Sequence, residues 1–224
     1  MNRSEINTLL DEAKSFFAAH KFQLPPWAFW GPDAWRGKQT ECAEIIENML
    51  GWDITDFGLD AYREHGLLLF TIRNGNPKRD KKTYAEKVML VKEDQETPMH
   101  FHWQKMEDII NRGGGNLVLE IYGSDEKEDF SDQPVQVSVD GITRQVEPGG
   151  VVVLTPGESI CLTQGMYHRF YAEPGKGMVL VGEVSQVNDD VSDNRFHVKV
   201  GRFPDIVEDT QPVHLLCSEY KKYV

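Results

Sequence analysis

The sequence predicts a mainly β fold, a closed barrel or jelly roll with α-helices at its N-terminal end. Short β-rich segments separated by turn residues follow one another after about residue 66, as in barrels and jelly rolls. Between two of these segments stands Asp140-Gly141, a type I′ hairpin signal. Residues 1–66 carry apolar residues at helical spacing instead. We therefore expect a helical segment, residues 1–66, that packs on a β-barrel of residues 67–224 within a single structural unit.

Two helices are predicted in the N-terminal segment. Ser4 can cap the first helix, and Pro25-Pro26 is expected to end it. The second helix is expected over residues 40–51, with a glycine at its C-terminal end. Between the two helices, residues 27–30 form an aromatic cluster that we expect to pack against the barrel or a second subunit. Stacking of this cluster on a sugar is the alternative.

Eight segments have the composition of β-strands, which predicts eight or nine short strands. They are residues 67–72, 87–91, 116–122, 135–139, 142–146, 151–154, 168–171 and 178–184. Residues 123–133 are polar and mostly acidic, and we expect them to form a surface loop.

The chain is acidic, with 36 Asp and Glu against 24 Lys and Arg and a formal net charge of −12. Nucleic acids and anionic membranes require a concentrated positive face, so neither is an expected partner. No apolar stretch approaches the ~20 residues of a membrane-spanning helix. The three cysteines, Cys42, Cys161 and Cys217, are widely spaced, which is typical of reduced thiols in a cytoplasmic protein.

Four residues form a candidate metal site. His100 and His102 are alternate residues and can face the same side of one strand. Glu107 is far enough along the chain to return from the next strand, and His168 is expected to open a late strand and approach from the opposite wall. Three imidazoles and one carboxylate suit a divalent transition metal, with coordination positions left for a substrate.

The same residues resemble the motifs of the cupin family. The ligand core of the first cupin motif reads here His100-x-His102-x4-Glu107-x6-Gly114, with Asp94 in place of the usual opening glycine. In the second motif Gly165 and His168 are in place, and Thr163 stands where proline is usual. This resemblance implies a cupin jelly-roll barrel with a metal at the four ligands.

The wider sequence resembles the D-lyxose isomerase family over nearly the whole chain, and the resemblance is closest in residues 24–30, 51–58, 97–115 and 182–185. It implies a cupin barrel, commonly dimeric, that interconverts D-lyxose with D-xylulose and often D-mannose with D-fructose. It also implies Mn²⁺ as the metal, with Co²⁺, Zn²⁺ or Fe²⁺ as alternatives. The expected partners are therefore a small sugar and a second copy of the chain.

Isomerisation through an enediolate needs charge stabilisation and a base near C1 and C2. Lys105 lies between two predicted ligands and could neutralise the enediolate, or it could extend into solvent from the barrel rim. Glu183 interrupts an apolar strand, where a carboxylate is costly unless it is functional or paired. We predict Glu183 to be the base, and a structural ion pair is its alternative.

Four further residues are candidate sugar contacts. Trp103 and Tyr167 adjoin predicted ligands, and core packing is the alternative for each of them. Asp190 and Arg195 lie in a polar segment that could recognise hydroxyl groups at the barrel mouth or could be a solvated loop.

Three rival functions fit parts of this pattern, because a fold does not determine a function. An Fe(II)-dependent cupin dioxygenase would use a similar metal site. A non-catalytic sugar-binding cupin would bind without turnover. A phosphosugar isomerase is disfavoured by the net charge of −12 and by the lack of a basic cluster near the motifs.

Overall fold

In the computed structural model, residues 1–76, 78–79, 81–189 and 192–224 are described. The helices in these ranges are α1 (Arg3–Ala19), α2 (Pro32–Trp35), α3 (Ala43–Glu47) and α4 (Tyr220–Tyr223), with 3₁₀ turns at Pro26–Phe29 and Cys217–Glu219. The strands are β1 (Gly51–Thr55), β2 (Leu67–Arg73), β3 (Tyr84–Val91), β4 (His100–Phe101), β5 (Glu107–Gly114), β6 (Leu117–Gly123), β7 (Val135–Val139), β8 (Ile142–Val146), β9 (Gly150–Leu154), β10 (Ser159–Leu162), β11 (Met166–Ala172), β12 (Val179–Gln186) and β13 (Arg195–Phe196).

The strands form two antiparallel sheets that enclose one core. The larger sheet has the order β1-β2-β3-β12-β5-β10-β7-β8, and the smaller one has the order β13-β4-β11-β6-β9. Inward side chains of both sheets, such as Met89, Ile109, Leu119 and Phe170, belong to one buried cluster. This arrangement confirms the predicted mainly β, jelly-roll barrel with an N-terminal helix.

Helix α1 covers the outer face of strands β1 to β3. Its buried residues Ile6, Leu10, Ala13 and Phe17 recur at three- and four-residue spacing, as one face of a helix does. They belong to a second buried cluster together with residues of β1 to β3, including Phe70. These strands are therefore buried on both faces, which explains why β2 begins with an uninterrupted apolar run.

The predicted helix boundaries are partly wrong. Helix α1 ends at Ala19, well before Pro25-Pro26, and Lys21 has a left-handed φ of 58°. The helix expected over residues 40–51 is reduced to Ala43–Glu47, and β1 starts at Gly51. Strand β1 pairs with β2 along its whole length, so sheet pairing overrides the local helical pattern there.

The aromatic cluster of residues 27–30 lies against the barrel. The ring of Trp27 is 4.8 Å from that of Phe70 on β2, measured between ring centroids. Trp52 of β1 donates its indole N–H to the carbonyl oxygen of Ala28 at 2.8 Å. Among the described residues, no helix combines the length and apolar character needed to cross a lipid bilayer.

All eight predicted β segments lie in strands, apart from single residues at their ends. Five strands lie outside these segments, namely β1, β4, β5, β10 and β13; of them, β4 and β5 were expected as the strands of His100 and Glu107. The longest of these, β5, alternates buried and less buried residues, but two of its inward positions are the polar Glu107 and Asn111. Asn111 is satisfied there because its amide donates to the carbonyl oxygens of Gly115 and Leu154, each at 2.9 Å.

Candidate active site

The three histidines of the sequence pattern lie on paired strands of the smaller sheet. His100 of β4 is directly opposite His168 of β11 in the antiparallel register. His102 directly follows β4 and faces the same side as His100, because alternate residues of an extended chain do so. The expectation that His168 closes the site from the opposite wall is wrong. Glu107, the first residue of β5 in the larger sheet, supplies that wall.

The side chains of these four residues converge. One ring nitrogen from each histidine lies within 4.8 Å of those of the other two. The Oε1 atom of Glu107 is 3.4 Å from Nε2 of His102 and 3.1 Å from Nε2 of His168. The structure thus brings together His100, His102, Glu107 and His168, the four residues predicted to hold a metal.

Each imidazole is oriented by a backbone carbonyl. The Nδ1 atoms of His100, His102 and His168 contact the carbonyl oxygens of Pro98, Asp193 and Met166 at 2.8, 2.9 and 3.0 Å. Because a carbonyl oxygen only accepts, each Nδ1 carries a proton, and a neutral ring held in this way has its lone pair on Nε2. This is how proteins fix the tautomer of metal-binding histidines.

The convergent atoms could hold a cation. The Nε2 atoms of His102 and His168 are buried and have no hydrogen-bond partner among the described residues. Two imidazole lone pairs and the Oε1 atom of Glu107 are all acceptors, and acceptors at these distances repel one another unless a positive charge lies between them. The donor set of imidazole nitrogens and a carboxylate oxygen fits a divalent transition metal.

The protonation states agree with this donor set. Burial, and then the neighbouring rings of His168 and His102, lower the pKa of His100 well below its ordinary value, which keeps the ring neutral. Burial alone would raise the pKa of Glu107, but the charge of Lys105 holds that pKa well below its ordinary range. A neutral imidazole and an ionised carboxylate are the forms that bind metals.

The two predicted catalytic residues meet beside the cluster. The Nζ atom of Lys105 is 2.7 Å from Oε2 of Glu107 and 3.1 Å from Oε1 of Glu183 on β12. Lys105 is only 4% exposed, so the alternative of a lysine that extends into solvent is wrong. Glu107 therefore faces the histidines with one oxygen and Lys105 with the other.

Sequence reasoning missed a second buried lysine. Lys87 of β3 is opposite Glu183 in the sheet register, and its Nζ atom is 3.2 Å from Oε1 of Glu183. It is also 2.8 Å from Oδ1 of Asn188. The available signal was a charged residue at the start of an apolar run, residues 87–91, which is the signal that identified Glu183.

These groups line one cavity of about 590 Å³, a volume that includes its open mouth. Lys87, Lys105, Glu183 and the four convergent residues form its charged part. The rest includes the polar side chains of Thr55, Asn194 and Arg202, as well as the apolar side chains of Leu69, Met89 and Phe170. A cleft lined by apolar side chains and a few convergent polar groups is typical of a site for a small polar molecule.

Three of the remaining candidate sugar contacts lie outside the cavity. Contrary to our expectation, Trp103, Tyr167 and Arg195 are not among the residues that line the cavity. All three bind Glu128 instead: the Trp103 indole and the Arg195 guanidinium donate to its carboxylate at 2.8 and 3.0 Å, and the Tyr167 hydroxyl donates to its carbonyl at 2.7 Å. Residues adjacent to a ligand along an extended chain face the opposite side. Asp190 lies outside the described residues.

The barrel and its internal cluster of three imidazoles and one carboxylate define a class, that of cupin-type proteins with a metal-ligand site. Comparison with protein families narrows this class. The model of the family described as D-lyxose isomerase matches residues 1–220, and the chain therefore belongs to the D-lyxose isomerase family.

Two curated relatives match over their full lengths. The chain is 47% identical over 226 residues to a protein named D-lyxose/D-mannose isomerase from Escherichia coli O157:H7, and the match covers 100% of both chains. It is 47% identical over 227 residues to a protein of the same name from Serratia proteamaculans, again with 100% of both chains covered.

Solved structures of more distant proteins have the same fold. L-ribose isomerase from Cellulomonas parahominis without a ligand aligns with a TM-score of 0.61 at 16% identity, covering 92% of this chain and 98% of that one. L-ribose isomerase from Acinetobacter sp. DL28 in complex with L-ribose aligns with a TM-score of 0.60 at 16% identity, covering 88% and 93%. At this identity the likeness shows the fold alone.

Proposed function

We propose that this chain is an aldose–ketose isomerase that interconverts D-lyxose with D-xylulose and D-mannose with D-fructose. Family membership and the two full-length relatives at 47% identity support the substrates. The structural observation that carries the proposal is the contact of Lys105 with both Glu107 and Glu183 inside the cavity. It places a metal-type donor set and a candidate base next to each other.

The metal that we propose is Mn²⁺, held by His100, His102, Glu107 and His168. A divalent cation there supplies Lewis-acid stabilisation of the charge that develops on the sugar oxygens at C1 and C2. The protein contributes the fixed tautomers of the three histidines and the ionised state of Glu107.

Proton transfer is assigned to Glu183. Its carboxylate accepts the proton from C2 of the aldose, while the C–H electron pair forms the C1–C2 double bond and the carbonyl pair moves to O1. The same carboxylate returns the proton to C1 as the O2 proton is passed to O1, so that the ketose is an isomer and Glu183 is regenerated. Lys105, 3.1 Å from Glu183, places an ammonium where it can offset the developing negative charge.

We further propose a homodimer in the cytoplasm. Cys42, Cys161 and Cys217 all lie within the described residues and none of them is in a disulfide, which agrees with a reducing compartment. The net charge of −12 agrees with a small uncharged substrate rather than a nucleic acid. Analytical ultracentrifugation of the purified chain measures the oligomeric state, and a monomer at micromolar concentration would contradict the dimer.

Substrate turnover tests the proposed function. We expect the Mn²⁺-loaded protein to convert D-lyxose to D-xylulose and, more slowly, D-mannose to D-fructose, with ketose measured by chromatography; D-ribose serves as the comparison aldose. The chelated protein is the matched control and should be inactive until Mn²⁺ is restored. Oxygen uptake with the Fe²⁺-loaded protein, together with no ketose from either sugar, would favour the dioxygenase. Binding of these sugars without turnover would favour a non-catalytic cupin.

A further inference from the structure

The two oxygens of the Glu183 carboxylate have unequal surroundings. Oε1 lies 3.2 Å from Nζ of Lys87, 3.1 Å from Nζ of Lys105 and 3.0 Å from the hydroxyl of Ser185, which donates to it. Among the described residues, the donor to Oε2 is Lys87 at 3.3 Å. Since a carboxylate has about four lone-pair sites, the remaining acceptor capacity is on Oε2.

Lys87 is itself fixed at a second point. Its Nζ atom contacts Oδ1 of Asn188 at 2.8 Å, in addition to both oxygens of Glu183. Asn188 is anchored in turn, because its backbone N–H donates to Oδ1 of Asn74 at 3.0 Å and its carbonyl accepts from Nδ2 of Asn74 at 2.9 Å. The ammonium of Lys87 therefore has little freedom to move.

The two buried lysines, Lys87 and Lys105, differ in the carboxylates that they contact. Lys105 is shared between Glu107 and Glu183, whereas Glu183 is the carboxylate that Lys87 contacts within the described part of the chain. Lys87 and Glu183 are 6% and 4% exposed, so their interaction is not screened by bulk water. Lys87 also lies directly across the sheet from Glu183, which sets the direction of the contact.

We infer that Lys87 is a positioning residue for the proposed proton transfer: with Ser185 it holds the Glu183 carboxylate so that Oε2 is the oxygen that takes the proton from C2 and returns it to C1. The inference rests on the proposed function and adds to it a positioning residue, Lys87, and the oxygen that carries the proton, Oε2 of Glu183. Without Lys87, the carboxylate can rotate and its proton-carrying oxygen is no longer held in one place.

Two variants with a matched control test the role of Lys87. Lys87→Met removes the ammonium but keeps the length of the side chain, and it should lower kcat by roughly 10²-fold, as misplacement of a reacting group by about 1 Å can do. We expect KM for D-lyxose and bound Mn²⁺ to stay close to wild type. Lys92→Met makes the same change beyond the end of β3, where Lys92 pairs with Glu12, and should leave kcat unchanged. Ser185→Ala is the milder second variant, with an expected loss of a few-fold.

A double-mutant cycle with Glu183→Gln separates positioning from a merely structural role. Glu183→Gln alone should lower kcat by roughly 10²–10⁴-fold. If Lys87 acts through Glu183, Lys87→Met should cost almost nothing further in the Glu183→Gln background, whereas independent effects would multiply. Multiplying effects in folded, metal-loaded variants would overturn the inference, as would wild-type kcat in Lys87→Met or in Glu183→Gln. A wild-type protein that produces no ketose would instead overturn the proposed function.

Discussion

The two sides of the strand pair β4 and β11 face the same kinds of side chain in opposite surroundings. On the cavity side, Lys87, Lys105, Glu107 and Glu183 form a charged network whose members are at most 6% exposed. On the outer side, Glu128 lies in the acidic turn of residues 125–130, and its side chain is 44% exposed. Both groups contain carboxylates bound by cations, but water surrounds only one of them.

The outer turn, residues 125–130, is closed by its own hydrogen bonds, and we call it the clasp. Asp125 accepts hydrogen bonds from the backbone N–H groups of Lys127 and Asp129 at 2.8 and 2.9 Å, which closes the turn on itself. From this turn, Glu128 binds Trp103, which follows His102 in the chain, and Tyr167, which precedes His168. The clasp therefore holds the ligand strands from outside without reaching the cavity.

The difference in solvation predicts that charge pairs on the two sides contribute unequal free energies. A charge pair at the surface is screened by water and contributes little, whereas loss of one partner from a buried pair leaves an uncompensated charge. Substitutions on the cavity side should consequently have large effects on catalysis. Substitutions in the clasp should have small ones, even though Glu128 contacts Trp103 and Tyr167, the chain neighbours of His102 and His168.

Removal of a ligand should have the largest effect. His102→Ala or His168→Ala deletes one of the convergent nitrogens, so bound Mn²⁺ measured by atomic absorption and isomerase activity should both fall to background. His197→Ala is the matched control on the outer side, where His197 contacts Asp129 at 2.9 Å, and it should retain metal. Full metal occupancy in both His102→Ala and His168→Ala would contradict the ligand assignment.

Loss of the Lys105 charge should have the next largest effect. Lys105→Met should lower kcat by roughly 10²–10³-fold, because an ammonium no longer offsets the developing charge. It should also change the pH at which metal is released. The charge of Lys105 holds the pKa of Glu107 low, so wild-type Glu107 stays ionised as the pH falls until its lowered pKa is reached.

In Lys105→Met the pKa of Glu107 rises, since burial alone raises it, and protons compete with the metal at a higher pH. Titration of bound Mn²⁺ from neutral to acidic pH should therefore show release at a higher pH in the variant than in the wild type. Release at the same pH in both proteins would mean that Lys105 does not control the charge of Glu107.

The smallest effect is expected in the clasp. Glu128→Ala removes a carboxylate that accepts from Trp103 and Arg195, but Trp103 is exposed and Arg195 is only half-buried, so kcat/KM should change less than about fivefold. Fluorescence of the exposed Trp103 should shift, because its indole N–H exchanges a carboxylate for water. A loss of activity as large as that of Lys105→Met would show that the two sides of the strand pair are not energetically distinct.

The ligand set was predictable because it depends on spacing along the chain. His100 and His102 share a side by strand alternation, and the interval to Glu107 allows one turn. The same rule should have excluded Trp103 and Tyr167, since each directly adjoins a ligand histidine and so faces away from the cavity.

Other features depend on contacts between distant parts of the chain. Lys87 meets Glu183 through the register of β3 with β12, across 96 residues, and Glu128 meets Arg195 across 67. The expected helix over residues 40–51 is wrong at its C-terminal end for a related reason, because pairing with β2 places Gly51 in a strand. Local patterns carry no information on such pairings.

Solvent isotope incorporation tests the central claim, proton transfer by Glu183 beside the metal site, most directly. D-lyxose is converted by the Mn²⁺-loaded protein in D₂O, and the D-xylulose is analysed by NMR. A carboxylate proton exchanges with water through the open mouth of the cavity, so we predict deuterium at C1 of the ketose and, on approach to equilibrium, at C2 of recovered D-lyxose. D-xylulose that forms over many turnovers without any solvent deuterium would contradict the account and indicate a direct hydride shift.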